Sequence, residues 1–170
     1  MRLLLLLLVS LLFAYALPAS TLNPVKWSLS AEPAGVDGGD VLLKLHAEIE
    51  AGFHLYSLTT PPGGPIRTRV RIRGQGTTAT EVYQPKPETR MDSTLHINVE
   101  TFTGSADFLI PASLGASRQR PLSVSLSVRY QACSDEICLP PVERTAEAVI
   151  QAGHAVPHIP PGYQRVAIKP

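Results

Sequence analysis

Two cysteines, Cys133 and Cys138, are the residues of this 170-residue chain best suited to covalent chemistry. With only two, a single intramolecular disulfide is possible, and the reaction open to it is dithiol–disulfide exchange. Closing six residues stabilises a fold by about 2.2 kcal/mol in the chain-entropy estimate, against ~4.7 kcal/mol for a hundred-residue loop. An immunoglobulin-type structural bond would join cysteines far apart in sequence across a core. Position at a loop end favours exchange, yet inert clips also occur there, so position alone leaves both readings open. The pair lacks the two-residue spacing and helix N-terminus of a thioredoxin site; four residues intervene, and Leu139-Pro140-Pro141 follows. Asp135 and Glu136 lie between the cysteines with no cation beside them in sequence. Carboxylates disfavour thiolate, and at the reference pKa of ~8.5 only about 3% of a thiol is ionised at pH 7. Such a pair exchanges efficiently only with a docked partner. His46, His54, His96, His154 and His158 lack ligand spacing with the cysteines, so no metal site is predicted. Nothing resembles a hydrolase triad, a phosphate-cradling loop or a nucleotide fingerprint, and no cofactor is expected.

The elements that must position the pair have a period of two. Val25, Trp27, Leu29 and Ala31 alternate with Lys26, Ser28 and Ser30, and Val41 to Ile49 repeats the pattern. So do Ile66 to Arg73 and Leu122 to Tyr130. Alternation buries one strand face and wets the other. Weaker strands fit 53–57, 78–83, 95–102, 106–112 and 142–151, separated by glycine and proline breakers. Eight or nine short strands without crossover helices predict an all-β, immunoglobulin-like antiparallel β-sandwich. The cysteines then occupy the loop of a β-hairpin. From Gly153 onward the chain is proline-rich without alternation, and residues 153–170 read as a tail or linker.

The start reads as an address. Met1-Arg2 precedes an apolar run from Leu3 to Leu12, and Ala14-Tyr15-Ala16 has the small-residue pattern of a cleavage site. The fifteen residues from Leu3 to Leu17 make roughly 22 Å of helix, short of the ~30 Å hydrocarbon core. Residues 1–16 are therefore expected to be a cleavable signal peptide, with a later cut at 19–20 as second choice. Loss of Arg2 leaves 14 cations against 14 acids. That neutrality argues against nucleic acid or an anionic membrane as the main partner. No cysteine lies at the cleavage region, so no lipid anchor is expected.

The stretch Val128-Arg129-Tyr130-Gln131-Ala132-Cys133 through Cys138-Leu139-Pro140-Pro141-Val142-Glu143 resembles the active-site hairpin of one family, that of the N-terminal periplasmic domain of the thiol:disulfide interchange protein DsbD. Gly52-Phe53-His54-Leu55-Tyr56-Ser57 is similar to its Gly-aromatic-x-Leu-Tyr strand, and Val25-Lys26-Trp27 also fits. The resemblance covers roughly residues 23–151, which sets a domain of 23–152. It implies a periplasmic electron-passing module of the protein-disulfide reductase type. Cys138 would form the mixed disulfide and Cys133 resolve it. It further implies thioredoxin-like periplasmic partners and a cap loop over the cysteines at 87–96, with Asp92 as the acidic residue. Leu95 and His96 stand where the family usually has phenylalanine and glycine. The family's membrane helices and thioredoxin-like domain do not follow before Pro170, so a separate membrane electron donor is expected.

The remaining features have plainer readings. Arg67, Arg69, Arg71 and Arg73 read as a solvated strand face, His46 as a surface residue and Trp27 as core. The resemblance suggests that Tyr56 and Phe53 flank the cysteines, packing between sheets being the alternative for each; a flanking role is expected for Tyr56 only. The rival to the exchange module is an exported immunoglobulin-like binding module with a structural hairpin disulfide.

Overall fold

The computed structural model describes residues 22–33, 39–73, 76–92, 96–115, 121–155 and 158–168. The expected signal peptide, and Leu95 of the expected cap, lie outside them. In chain order the strands are β1 (Val25–Ala31), β2 (Gly39–Ile49), β3 (His54–Tyr56), β4 (Arg69–Arg73), β5 (Thr77–Thr78), β6 (Glu81–Pro85) and β7 (Glu88–Asp92). They continue with β8 (Ile97–Phe102), β9 (Ser105–Leu114), β10 (Leu122–Tyr130), β11 (Ala132–Cys133), β12 (Val142–Ile150) and β13 (Tyr163–Ala167). Every pairing is antiparallel, which makes this an all-β, immunoglobulin-like sandwich.

One sheet runs β1-β2-β9-β6-β13, with β5 on the end of β9. A second runs β12-β10-β4 and a third, smaller one β11-β3-β8-β7. The alternation in β2 and β10 builds the core directly. Register sets Leu43 opposite Ile110 and Leu45 opposite Phe108, all fully buried, and they meet Val124, Leu126, Val128 and Tyr130 of β10. Trp27 packs over this core, its ring edge-on to Tyr130 at 5.3 Å and tilted to Phe108 at 6.0 Å. The arginines of β4 stay on the exposed face, where Arg69 lies opposite Arg129 and Arg73 reaches Glu143 at 3.6 Å.

Three segments depart from the sequence-based expectation. The strand predicted over 78–83 is divided into β5 and β6, which meet different parts of β9: Thr77 pairs Leu114 while Tyr83 pairs Leu109. Half of the segment expected as a cap loop is strand β7, with Arg90 opposite Val99. It lies at a sheet edge with Glu88 to Met91 all exposed, so it carries no apolar alternation to read. The tail is not loose throughout. Residues 163–167 pair with β6, Val166 opposite Val82, and Val166 and Ile168 pack against the core. Two apolar anchors among prolines and exposed polar residues are too few to form a visible period.

Candidate functional site

The ladder between β10 and β12 ends at Tyr130 opposite Val142, and the chain between them forms the cysteine loop. Gln131 fixes its base: Nε2 donates to the Leu139 carbonyl at 3.0 Å, and Oε1 accepts from the Ile66 N–H at 2.9 Å. Inside the loop the Ser134 N–H donates to the Ile137 carbonyl at 2.8 Å, and the Leu139 N–H to the Ala132 carbonyl at 3.0 Å. Ser134 Oγ accepts from the N–H groups of Glu136 and Ile137 at 3.2 and 3.1 Å. Pro140 and Pro141 then supply no N–H, which stops further pairing here. These bonds hold Cys133 and Cys138 face to face; their sulfurs are bonded at 2.02 Å with Cα atoms 4.1 Å apart.

The loop rests on the small third sheet. Cys133 lies opposite His54, Tyr56 opposite Thr101, and Arg90 opposite Val99. Because side chains alternate along strands, Cys133, His54, Tyr56, Val99 and Arg90 share one face. Tyr56, Val99 and Cys133 are each 1% exposed and, with Ile97, form an apolar cluster separate from the main core. Cys138, by contrast, is exposed. Above this face is a cleft of about 530 Å³ that both cysteines line.

Charge in the cleft is arranged around Arg90. Its Nη2 donates to His54 Nε2 at 3.0 Å and lies 3.5 Å from Asp135 Oδ1. An accepting Nε2 leaves the proton of His54 on Nδ1. Burial first, and Arg90 second, push His54 below the usual 6.5, against a weaker upward pull from Asp135 and Asp92. Burial, then Asp92, pushes the Tyr56 phenol upward. At neutral pH the imidazole and the phenol are therefore uncharged.

The structure brings some of the expected residues to the cysteines and not others. Tyr56 lines the cleft and meets His54 edge-on at 5.6 Å. Asp92 also lines it, at the end of β7. His96 is exposed and does not line the cleft; its N–H donates to the Asp92 carbonyl at 2.8 Å. Phe53 packs against the main core instead of flanking the sulfurs. His46 lies on the polar face as expected, its side chain 40% exposed, with Nδ1 2.6 Å from Asp107 Oδ1. Two cleft residues, His54 and Arg90, were not singled out by sequence reasoning. The period-two parity of Gly52 to Ser57 placed His54 on the face of Tyr56, which was the available signal. The cation missing beside the cysteines in sequence is supplied from β7 by tertiary pairing, and no local pattern announces it.

Among solved structures the chain is similar to the N-terminal periplasmic domain of ScsB from Proteus mirabilis, with 14% identity and a TM-score of 0.54 over 77% of this chain and 48% of that one. It thus spans about half the length of that ScsB chain, and at this identity the likeness shows the fold alone. It is also similar to the reduced DsbD N-terminal domain of Neisseria meningitidis (17% identity, TM-score 0.45, 88% of this chain and 96% of that one). A third is the complex between the DsbD N-terminal and PilB N-terminal domains of the same organism (16% identity, TM-score 0.43, 74% and 85%). Comparison with curated proteins finds no match. Residues 27–150 match the family described as "Thiol:disulfide interchange protein DsbD, N-terminal". With that match spanning most of the sandwich and the whole cysteine hairpin, the chain belongs to the family of the DsbD N-terminal domain.

Proposed function

We propose that this domain is an exported, periplasmic thiol–disulfide exchange module whose redox pair is Cys133 and Cys138. The observation that carries the reading is the asymmetry of the pair: one sulfur-bearing residue is buried on the floor of a cleft and its bonded partner is exposed. A structural clip has no use for such a cleft. Cys138 is the cysteine an attacking thiolate reaches, so it forms the mixed disulfide; when the reduced domain in turn attacks an oxidised partner through Cys138, Cys133 resolves the mixed disulfide. Asp92 and Tyr56 line the cleft, and Leu95 and His96 are the further cap positions that the family resemblance implies. The partners are thioredoxin-like periplasmic proteins, with a separate membrane protein as electron donor. Residues 23–152 are the working unit, preceded by a signal peptide of residues 1–16 and followed by 153–170.

Equilibration with glutathione or thioredoxin buffers tests the reading. The couple is expected to titrate at a potential above about −300 mV, where structural disulfides in secreted proteins rarely lie. A bond that remains oxidised in buffers well below that value would return the domain to the class of binding modules with an inert clip.

A further inference from the structure

Arg90 is the one lysine or arginine among the described residues lining the cysteine cleft, where it faces Asp92, Asp135, Glu136, the imidazole of His54 and the phenol of Tyr56. Its reach follows from topology. In the sheet β11-β3-β8-β7, Cys133 is on one edge strand and Arg90 on the other. The long side chain runs back along their shared face until its guanidinium meets His54, the residue opposite Cys133, and Asp135, a residue inside the cysteine loop. Neither contact uses up its charge. His54 accepts as a neutral ring, and the Asp135 side chain is 89% exposed, so that ion pair is well screened by solvent. A guanidinium with five donors retains both charge and hydrogen-bonding capacity for a new anion.

We propose that Arg90 is the positioning residue that sets the charge at the cysteine pair, its guanidinium favouring the thiolate that appears when the disulfide opens. This rests on the exchange reading above. A thiolate of a partner dithiol attacks Cys138 Sγ, and the bond to Cys133 breaks. Cys133 departs with the electron pair as a thiolate on the face it shares with His54 and Arg90. The partner's second thiol, losing its proton, then attacks the partner's own sulfur in the mixed disulfide and releases Cys138. The partner leaves as a disulfide; its two electrons now reside on Cys133, which remains a thiolate, and on Cys138, which takes the proton released by the partner's second thiol. A leaving thiol of lower pKa departs faster, so a cation beside Cys133 speeds the first step. Asp135 and Glu136 act in the opposite sense, and Arg90 is their counterweight.

The test titrates thiolate ultraviolet absorbance in the reduced protein, with the Cys133→Ser, Cys138→Ser double variant as blank. This reads both sulfurs whatever their access. Arg90→Gln keeps a donor for His54 while removing the charge. It is expected to move the thiolate midpoint up by about 0.5–1 unit and to slow exchange with a dithiol protein at pH 7 roughly three- to ten-fold. Arg90→Lys restores the charge and is expected to restore the midpoint to within a few tenths of a unit. Asp135→Asn, at an exposed position, is expected to lower it. An unmoved midpoint in Arg90→Gln overturns the proposal, as does a lysine variant shifted as far as the glutamine variant, which would make the effect one of packing. If the glutamine variant does not fold, an unmoved midpoint in Asp135→Asn overturns it. Because the titration needs no partner, absence of exchange with every dithiol protein would sink the functional reading and leave the charge measurement intact.

Discussion

Phe108 and Cys133 are both buried, yet they lie in different kinds of interior. Phe108 stands between two sheets, with Trp27 on one side and Phe102 edge-on at 5.6 Å, inside a cluster fed by nearly every long strand. Cys133 shares its cluster with two other buried residues, and the groups just beyond it are an imidazole, a guanidinium and a carboxylate. The first interior is large and apolar, and its burial holds the sandwich together. The second is just large enough to immobilise one sulfur while its surroundings stay polar. The two clusters are separate, so the disulfide is expected to open without disturbing the main core.

The hardest strike against this separation is at the large interior. Phe108→Ala is expected to cost about 3–5 kcal/mol, a large share of the ~5–15 kcal/mol that stabilises a typical domain. Denaturant melts should show the loss, while exchange at the cysteines should change only in proportion to the fraction unfolded. Faster exchange in the folded fraction would mean that the two interiors are coupled.

A milder strike removes the bond itself. The Cys133→Ser, Cys138→Ser double variant loses at most about 2 kcal/mol, the cross-link value for so short a loop. Circular dichroism should show a cooperative thermal transition in the variant as in the oxidised protein. Loss of that transition at room temperature would mean that the disulfide is part of the scaffold, which a carrier that must persist in both redox states cannot tolerate.

The smallest effect separates His54 from Asp107 by pH. Folding holds His54 below 6.5, so on acidification the unfolded chain takes up the proton first. The stability this residue contributes is whole above 6.5 and is lost as pH falls from there through the folded value. Asp107, the partner of Lys44 and His46, contrasts with it. Burial alone would raise Asp107, but hydrogen bonds from Lys44 and His46 outweigh burial and hold the carboxyl below 3.8. The stability gained by Asp107 is present above 3.8 and lost only as pH falls through its lower folded value. Between pH 7.5 and 5.5 the acid-sensitive end should therefore be the cysteine end. Hydrogen exchange at β3 and β11 should rise in that range, and His54→Gln should flatten the dependence. Equal slopes in the variant and the native protein would remove His54 from the account.

What the residues disclosed in advance follows the same division. Strands β1, β2 and β10 were legible because each buries one face in the large interior, and burial writes a period of two into sequence. The cysteine hairpin was legible because its strongest strand ends at Tyr130 and two prolines follow the second cysteine. Strand β7 was not, since its exposed edge residues carry no apolar period, and β13 was hidden among prolines with two anchoring side chains. Arg90 and His54 meet across a sheet whose pairing is tertiary, so neither could be tied to the cysteines by local pattern. His96 shows another limit: its φ of 55° is left-handed, a conformation glycine adopts freely and histidine does at some cost, and no composition or periodicity reveals it.

The unequal placement of the two cysteines also governs stoichiometry. A bonded pair with one member at the surface and one on the cleft floor offers the outside world a single covalent foothold. Every protein that becomes linked to this domain must arrive from the same side and contact the same loop. In the exchange reading proposed above, donor and acceptor would compete for one berth, and electrons would move only by partners taking turns.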